Sequence, residues 1–144
     1  MKIEFLFKNC KPVSNNKTTS FTKKGKYYPN KEKIVFKRII DVQTLAQRHE
    51  IFDFETRYSP YEHCLRATIV IYIPESKLIT KKGYVSQKSL DLANCEKVLT
   101  DSVFKRFEKI DDSAICYLNM EKRTSLDNTY RIYYCLEIVD LSGI

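Results

Sequence analysis

Nowhere in the 144-residue sequence do eighteen apolar residues follow one another, and the apolar run at the start, MKIEFLFKNC, is too short for the core of a signal peptide. No membrane association is expected, and the reading is of a soluble, cytoplasmic protein. Glycine is scarce, with three residues. An apolar fraction of 43% and eighteen Tyr and Phe residues supply enough surface to offset the entropy of ordering the chain, which excludes a disordered protein. The five cysteines (Cys10, Cys64, Cys95, Cys116 and Cys135) are odd in number and scattered, without a CxxC pair. Only His49 and His63 stand beside them, which argues against a structural zinc cage. Cys116 and Cys135 fall in apolar, strand-like runs, where a reduced cysteine acts as a small hydrophobe, and the compartment is read as reducing. Repeats and an internal linker are lacking too, so residues 1–144 are expected to form a single domain.

What is present in excess is positive charge, and it is segregated. The formal net charge is +7, yet residues 1–40 hold eleven Lys or Arg against two Glu, while the rest of the chain holds fourteen basic and sixteen acidic residues. Such segregation suits a polyanionic partner, because each phosphate neutralised by Lys or Arg releases condensed counterions. A solvated lysine face without a partner is the competing reading of charge alone.

Ile3, Phe5 and Phe7 alternate with polar residues, as a half-buried first strand requires. Asn9 to Asn30 is polar, with Pro12, Gly25, Pro29 and five lysines, and reads as a long mobile loop. A structureless connection of that length is usually functional, and beside an anion site it would act as a basic flap. Lys31 to about His49 reads as a helix, with Ile34, Val35, Ile39, Val42, Leu45 and Ala46 at three- and four-residue steps. Ile51 to His63 reads as irregular. Leu65 to Ile73, rich in β-branched residues and ended by Pro74, reads as a central strand buried on both faces, followed by a basic loop through Lys77, Lys81, Lys82 and Lys88. Leu92 to Phe107 returns to the helical period, with Asp91 as its cap. Two strands close the chain, roughly Ala114 to Glu121 and Tyr130 to Asp140. The turn chemistry of Asp127-Asn128, within a loop from Lys122 to Asn128, points to an antiparallel hairpin. The expected class is α/β (α+β), a mixed sheet flanked by two main helices in the order βαβαββ.

The chemistry is expected between Lys88 and Ile115. Asp91 lies where the basic loop meets a helix start, and Asp111-Asp112 where the next strand begins. Carboxylates from such element ends can converge on Mg²⁺, a hard cation that takes carboxylate, water and phosphate oxygens, and phosphodiester hydrolysis needs such a cation. Lys97 lies six residues past Asp91, on roughly the opposite side of the helix, and a long stem can still bring its ammonium to a phosphate. Asn94 is placed to orient a water or phosphate. Each residue also has a plain structural reading. Asp91 is a good N-cap, Asp111-Asp112-Ser113 an ordinary turn, and Lys97 with Asp101 a favourable i,i+4 pair.

The order and separation of three short motifs resemble the RusA-type Holliday junction resolvases over nearly the whole chain. Pro12-Val13-Ser14-Asn15-Asn16 is similar to the family's Pro-x-Ser-Asn-Asn segment, and Asp91-Leu92-Ala93-Asn94-Cys95-Glu96-Lys97 to its D-x-D-N-x-x-K motif. Asp111-Asp112-Ser113 is similar to the Asp-Asp pair before the next strand. The resemblance implies a homodimer that binds four-way DNA junctions and, with Mg²⁺ (Mn²⁺ as the alternative ion) and no small-molecule cofactor, nicks two strands of like polarity. Carried over residue by residue, it makes Asp91 and Asp112 metal ligands, with Asp111 as a further acid. Lys97 becomes the phosphate-facing cation and Asn94 a supporting polar group.

Lys11, Asn15, Asn16, Lys17, Lys23, Lys24, Lys26, Lys81, Lys82 and Lys88 are then the expected DNA contacts, with Tyr27 or Tyr28 either stacking on unpaired bases or simply packing. One position departs from the motif. Its second aspartate is Ala93, which neither ligates a metal nor accepts a proton. Asp111, Asp101 or Glu96 would have to substitute, or the chain binds junctions without cutting them.

Overall fold

The computed structural model describes residues 1–14, 19–21 and 27–144, with residues 19–21 and 27–29 described by backbone alone. Strand β1 (Lys2–Lys8) is followed by the short antiparallel pair β2 (Thr19–Phe21) and β3 (Tyr27–Pro29). Then come helices α1 (Lys31–Ala46) and α2 (Arg48–Arg57), strand β4 (His63–Pro74), the helical turn α3 (Glu75–Leu78), helix α4 (Leu92–Phe104), and strands β5 (Ile115–Ser125) and β6 (Arg131–Asp140). The main sheet has the order β1-β6-β4-β5, with β4 parallel to β5 and the other pairs antiparallel. This is the expected mixed sheet of the α+β class.

Local chemistry sets the boundaries. Asn9 (φ 50°) turns the chain out of β1 through the left-handed region that asparagine tolerates. Asn30 caps α1 by accepting from the Glu32 N–H at 2.8 Å. The helical run does not stop at His49. Gln47 leaves helical geometry (φ −102°, ψ 20°) and a second helix, α2, restarts at Arg48. The segment read as irregular therefore contains a helix, whose inner face is Ile51, Phe54 and Glu55.

Strand β4 takes the centre, as its apolar run demands, and this overturns the expected hairpin. β5 and β6 do not pair with each other; β4 lies between them, hydrogen-bonded to both. Residues 126–130 therefore cross the end of β4, and Asn128 supplies the positive φ (61°) of that crossing. Lys122, read as the first residue of the loop, belongs to β5.

The core joins Ile3, Phe5 and Phe7 of β1 to Leu65, Ala67, Ile69, Ile71 and Ile73 of β4 and to Ile132, Tyr134 and Leu136 of β6. Helix α4 adds Cys95, Val98, Leu99 and Val103 to it. From α1 the core takes Phe36 and Ile40, with Thr44 buried beside them, whereas Ile34, Val35, Val42 and Leu45, the apolar residues at helical spacing, lie exposed. All five cysteines are free thiols. Among the described residues no helix is long and apolar enough to cross a membrane.

Candidate active site

Asp91 is the N-cap of α4. One of its carboxylate oxygens accepts from the Ala93 N–H at 3.1 Å, and the other from the Asn94 side-chain amide at 3.2 Å. These bonds fix the carboxylate at the mouth of the helix, and each oxygen keeps lone-pair capacity for another partner. Beside it lies an open cleft of about 630 Å³ whose lining includes Lys11, Ser14, Lys77, Lys88, Asp91 and Tyr130. The segment 11–14, the basic loop and the start of α4 thus meet around Asp91.

The loop in front of Asp91 is held from below. Lys122, half-buried on β5, donates to Ser89 Oγ at 2.9 Å and to the Leu90 carbonyl at 2.8 Å. Burial first, then the carboxylates of Glu96 and Asp91, push the Cys95 thiol up to about 12, while the Lys122 ammonium acts the other way. Lys122 therefore stands close to the same helix start. Sequence reasoning missed it. The available signal was a lysine two residues beyond Met120, which packs against the core, and hence in phase with the inward face of its strand.

Lys97 projects from the exposed side of α4 and pairs with Asp101 at 3.1 Å. That hydrogen bond and the charge of Asp101 raise Lys97 above the ordinary lysine value, and the carboxylates of Asp112 and Glu96 add to the effect. Glu96 accepts from Thr100 Oγ1 at 2.7 Å, and Thr100 Oγ1 lies 3.0 Å from the hydroxyl of the buried Tyr134. Burial pushes the Tyr134 hydroxyl well above its ordinary value, and Glu96, Asp112 and Asp101 act in the same direction. Asp112, half-buried, opens the 3-10 turn that leads into β5, and Asp111 caps that turn by accepting from the Ser113 N–H at 3.1 Å. Hydrogen bonds from Ser113 hold the Asp111 carboxyl below the usual range.

Asp112 owes its place to a residue that the sequence did not single out. Glu55 of α2 is buried, and its carboxylate accepts three consecutive backbone N–H groups, from Glu108 (3.2 Å), Lys109 (2.6 Å) and Ile110 (2.8 Å). The chain is thereby pinned immediately before Asp111-Asp112.

Asp91 and Asn94 are brought together, and so are Lys97 and Asp101 on the flank of α4, where the Asp112 carboxylate adds to the raising of Lys97. Asp112 does not line the Asp91 cleft. Among the described residues no group of three or more His, Cys, Asp or Glu side chains is gathered as a metal cage. Of the expected DNA contacts, Lys11 and Lys88 line the cleft, with Lys11 also 3.5 Å from Glu32 and over the Tyr130 ring. Lys81 and Lys82 are exposed on the turn closed by Gly83 N–H to the Thr80 carbonyl. Asn15, Asn16, Lys17, Lys23, Lys24 and Lys26 lie outside the described residues, as do the side chains of Tyr27 and Tyr28.

Comparison with known families decides the assignment. The family model described as endodeoxyribonuclease RusA matches residues 9–133, from the end of β1 into β6. The chain belongs to the RusA endodeoxyribonuclease family. No curated protein matches it. RusA membership implies an endonuclease of the Holliday junction resolvase type, and the match spans both α4 and the Asp111-Asp112 turn.

Proposed function

We propose that this RusA-family chain cuts branched DNA, four-way junctions above all, in a reaction that depends on Mg²⁺ or Mn²⁺. The observation that carries the reading is the RusA family match over residues 9–133, which spans the capped Asp91, Lys97 on α4 and the Asp111-Asp112 turn. The donor set consists of carboxylates, which suits a hard cation and not zinc. Asp91 and Asp112, with Asp111 next to it, fit Mg²⁺ by type, and Mg²⁺ commonly takes only one or two carboxylates together with substrate phosphate oxygens. When bound, such an ion supplies Lewis-acid polarisation of the scissile phosphate.

The chain's own residues do the rest. Asn94 and the Ala93 N–H hold Asp91 in one orientation. Lys97 offers its ammonium to the charge that develops at phosphorus, giving up Asp101 as it does so. Lys11 and Lys88 in the cleft, with the lysine-rich segment before α1, bind the flanking phosphates and set the strand in register without reading its sequence. Two copies acting as a homodimer would place one such site on each of two strands of like polarity.

A second reading has its own support. Ala93 occupies the motif's second acidic position, and the described acids do not form a three-membered cage. A chain that binds junctions and leaves them intact would show these features. Incubation of the purified protein with labelled four-way junctions, with and without each ion, separates the two. Incision in Mg²⁺ or Mn²⁺ supports the nuclease, and binding without incision in either ion supports the second reading.

A further inference from the structure

We propose that residues 78–86 form a finger that distinguishes branched DNA from plain duplex, the Tyr84 ring stacking on a base whose face is left uncovered at the branch. The inference deepens the reading above and rests on it for the ligand. It rests on this fold for its place.

The finger is closed by its own backbone. Ser86 N–H donates to the Leu78 carbonyl at 2.7 Å, Thr80 N–H to the Tyr84 carbonyl at 2.8 Å and Gly83 N–H to the Thr80 carbonyl at 2.9 Å. Ile79 and Val85 pair across it as an antiparallel bridge. Gly83 makes the turn at φ 89°, in the left-handed region where a side chain would be strained. Both ends are anchored. Leu78 is buried in the core, and Ile79 packs against that core. Beyond the finger, Ser89 Oγ donates to the Ser86 carbonyl at 2.8 Å, and Lys122 holds Ser89 and Leu90. A tip braced in this way has little freedom to lose on binding.

The foot of the finger is a wall of the Asp91 cleft. Ser76, Lys77, Ser86, Gln87 and Lys88 all line that cleft, so a DNA strand lying in it runs past the finger. Tyr84 is two residues from Ser86, at most about 7 Å of extended chain, or roughly two nucleotide steps of a duplex strand.

The tip carries the groups that such a contact needs. Tyr84 is 56% exposed, and Lys81 and Lys82 are exposed beside it. Among the described residues the Tyr84 ring meets no other aromatic ring and no cation. A lone exposed tyrosine asks for no explanation. One held at the end of a closed turn, next to two ammonium groups and a cleft wall, fits nucleic acid. The lysines attract phosphates, and the ring stacks on any base without reading its identity. Inside a duplex both faces of each base are covered by its neighbours, and taking a base out of the stack is costly. At a branch the stack is already interrupted. Stacking by Tyr84 therefore favours branched over linear DNA, whereas the lysines favour both alike.

The chain has no tryptophan, so Tyr84→Trp sets a single indole at the tip. The full-length protein is titrated, in EDTA, with a four-way junction and with linear duplexes of the same arm sequences, and circular dichroism verifies folding. Indole emission is expected to fall by about half on the junction and to change little on the duplex. Tyr84→Ala is expected to lower the ratio of junction to duplex affinity by about tenfold, and Tyr84→Phe to keep it within about twofold. A ratio unchanged by Tyr84→Ala, equal quenching by both DNAs, or a wild type without preference for the junction overturns the finger. Cleavage of the same junctions in Mg²⁺ and Mn²⁺ keeps the two ideas apart. A preference that depends on Tyr84 in a chain that never cuts sustains the finger and defeats the nuclease reading. Incision with a preference indifferent to Tyr84 does the opposite.

Discussion

At position 93 the backbone N–H donates to Asp91 while the side chain stops at a methyl group, so the residue keeps its part in the cap and drops the carboxylate of the motif. Restoring that carboxylate adds a charged oxygen ligand one residue from the helix mouth. Ala93→Asp is expected to tighten Mn²⁺ binding by about tenfold, read by isothermal titration, and to raise the cleavage rate. Unchanged affinity would mean that position 93 does not face the ion. Asp127 offers a test by pH. Hydrogen bonds from Ser125 and Thr129 lower its pKa from 3.8 to about 2. A carboxyl depressed in the folded state contributes stability above its unfolded pKa and loses it as pH falls through the folded value. Denaturant melts of wild type and Asp127→Asn should therefore differ at neutral pH and converge between about pH 4 and 2. Singly, these side chains were readable from sequence as caps and turns. Lys122 was not, because its role depends on a loop from elsewhere in the chain landing on its strand.

Helix α2 and the strand order show where element-level reading stops. The run from Arg48 is rich in charged residues, and its three inward positions, Ile51, Phe54 and Glu55, include a carboxylate, so no apolar stripe announced a helix. That carboxylate is what fixes the approach to Asp112. Glu55→Ala leaves three backbone N–H groups without their acceptor and is expected to destabilise the fold by about 2–4 kcal/mol. At temperatures where the variant remains folded, cleavage should fall while junction affinity holds; cleavage at the wild-type rate would show that the 108–110 segment does not position Asp112. The types and approximate limits of β1, β4, α4 and the last two strands were legible from period and turn residues. The pairing of β4 with both β5 and β6 was not, since strand order is set by which strand is apolar enough for the centre and not by closeness in sequence. Helix α1 was placed correctly and its buried face was not. Two apolar arcs share the helix, and only the fold shows which one meets the sheet.

For the whole molecule, the decisive property is charge held apart, with a surplus of nine positive charges in the first forty residues and a slightly acidic remainder. Junction binding should therefore weaken steeply with salt. Neutralising Lys11 or Lys88 should lower the slope of log K against log salt by about one each, with little effect on sequence preference. A slope unchanged by either substitution would remove the cleft from the DNA path. We propose that Asp112, distant in sequence from Asp91 and following the segment that Glu55 pins, belongs to a metal-dependent centre for cutting junction DNA. The most direct measurement is cleavage of a labelled four-way junction in Mg²⁺ and in Mn²⁺ by the wild type and by Asp112→Asn, with junction binding followed in the same samples. The account predicts ion-dependent incision by the wild type, and its loss in the variant with binding intact. Incision by Asp112→Asn at the wild-type rate, or no incision by the wild type in either ion, would contradict it.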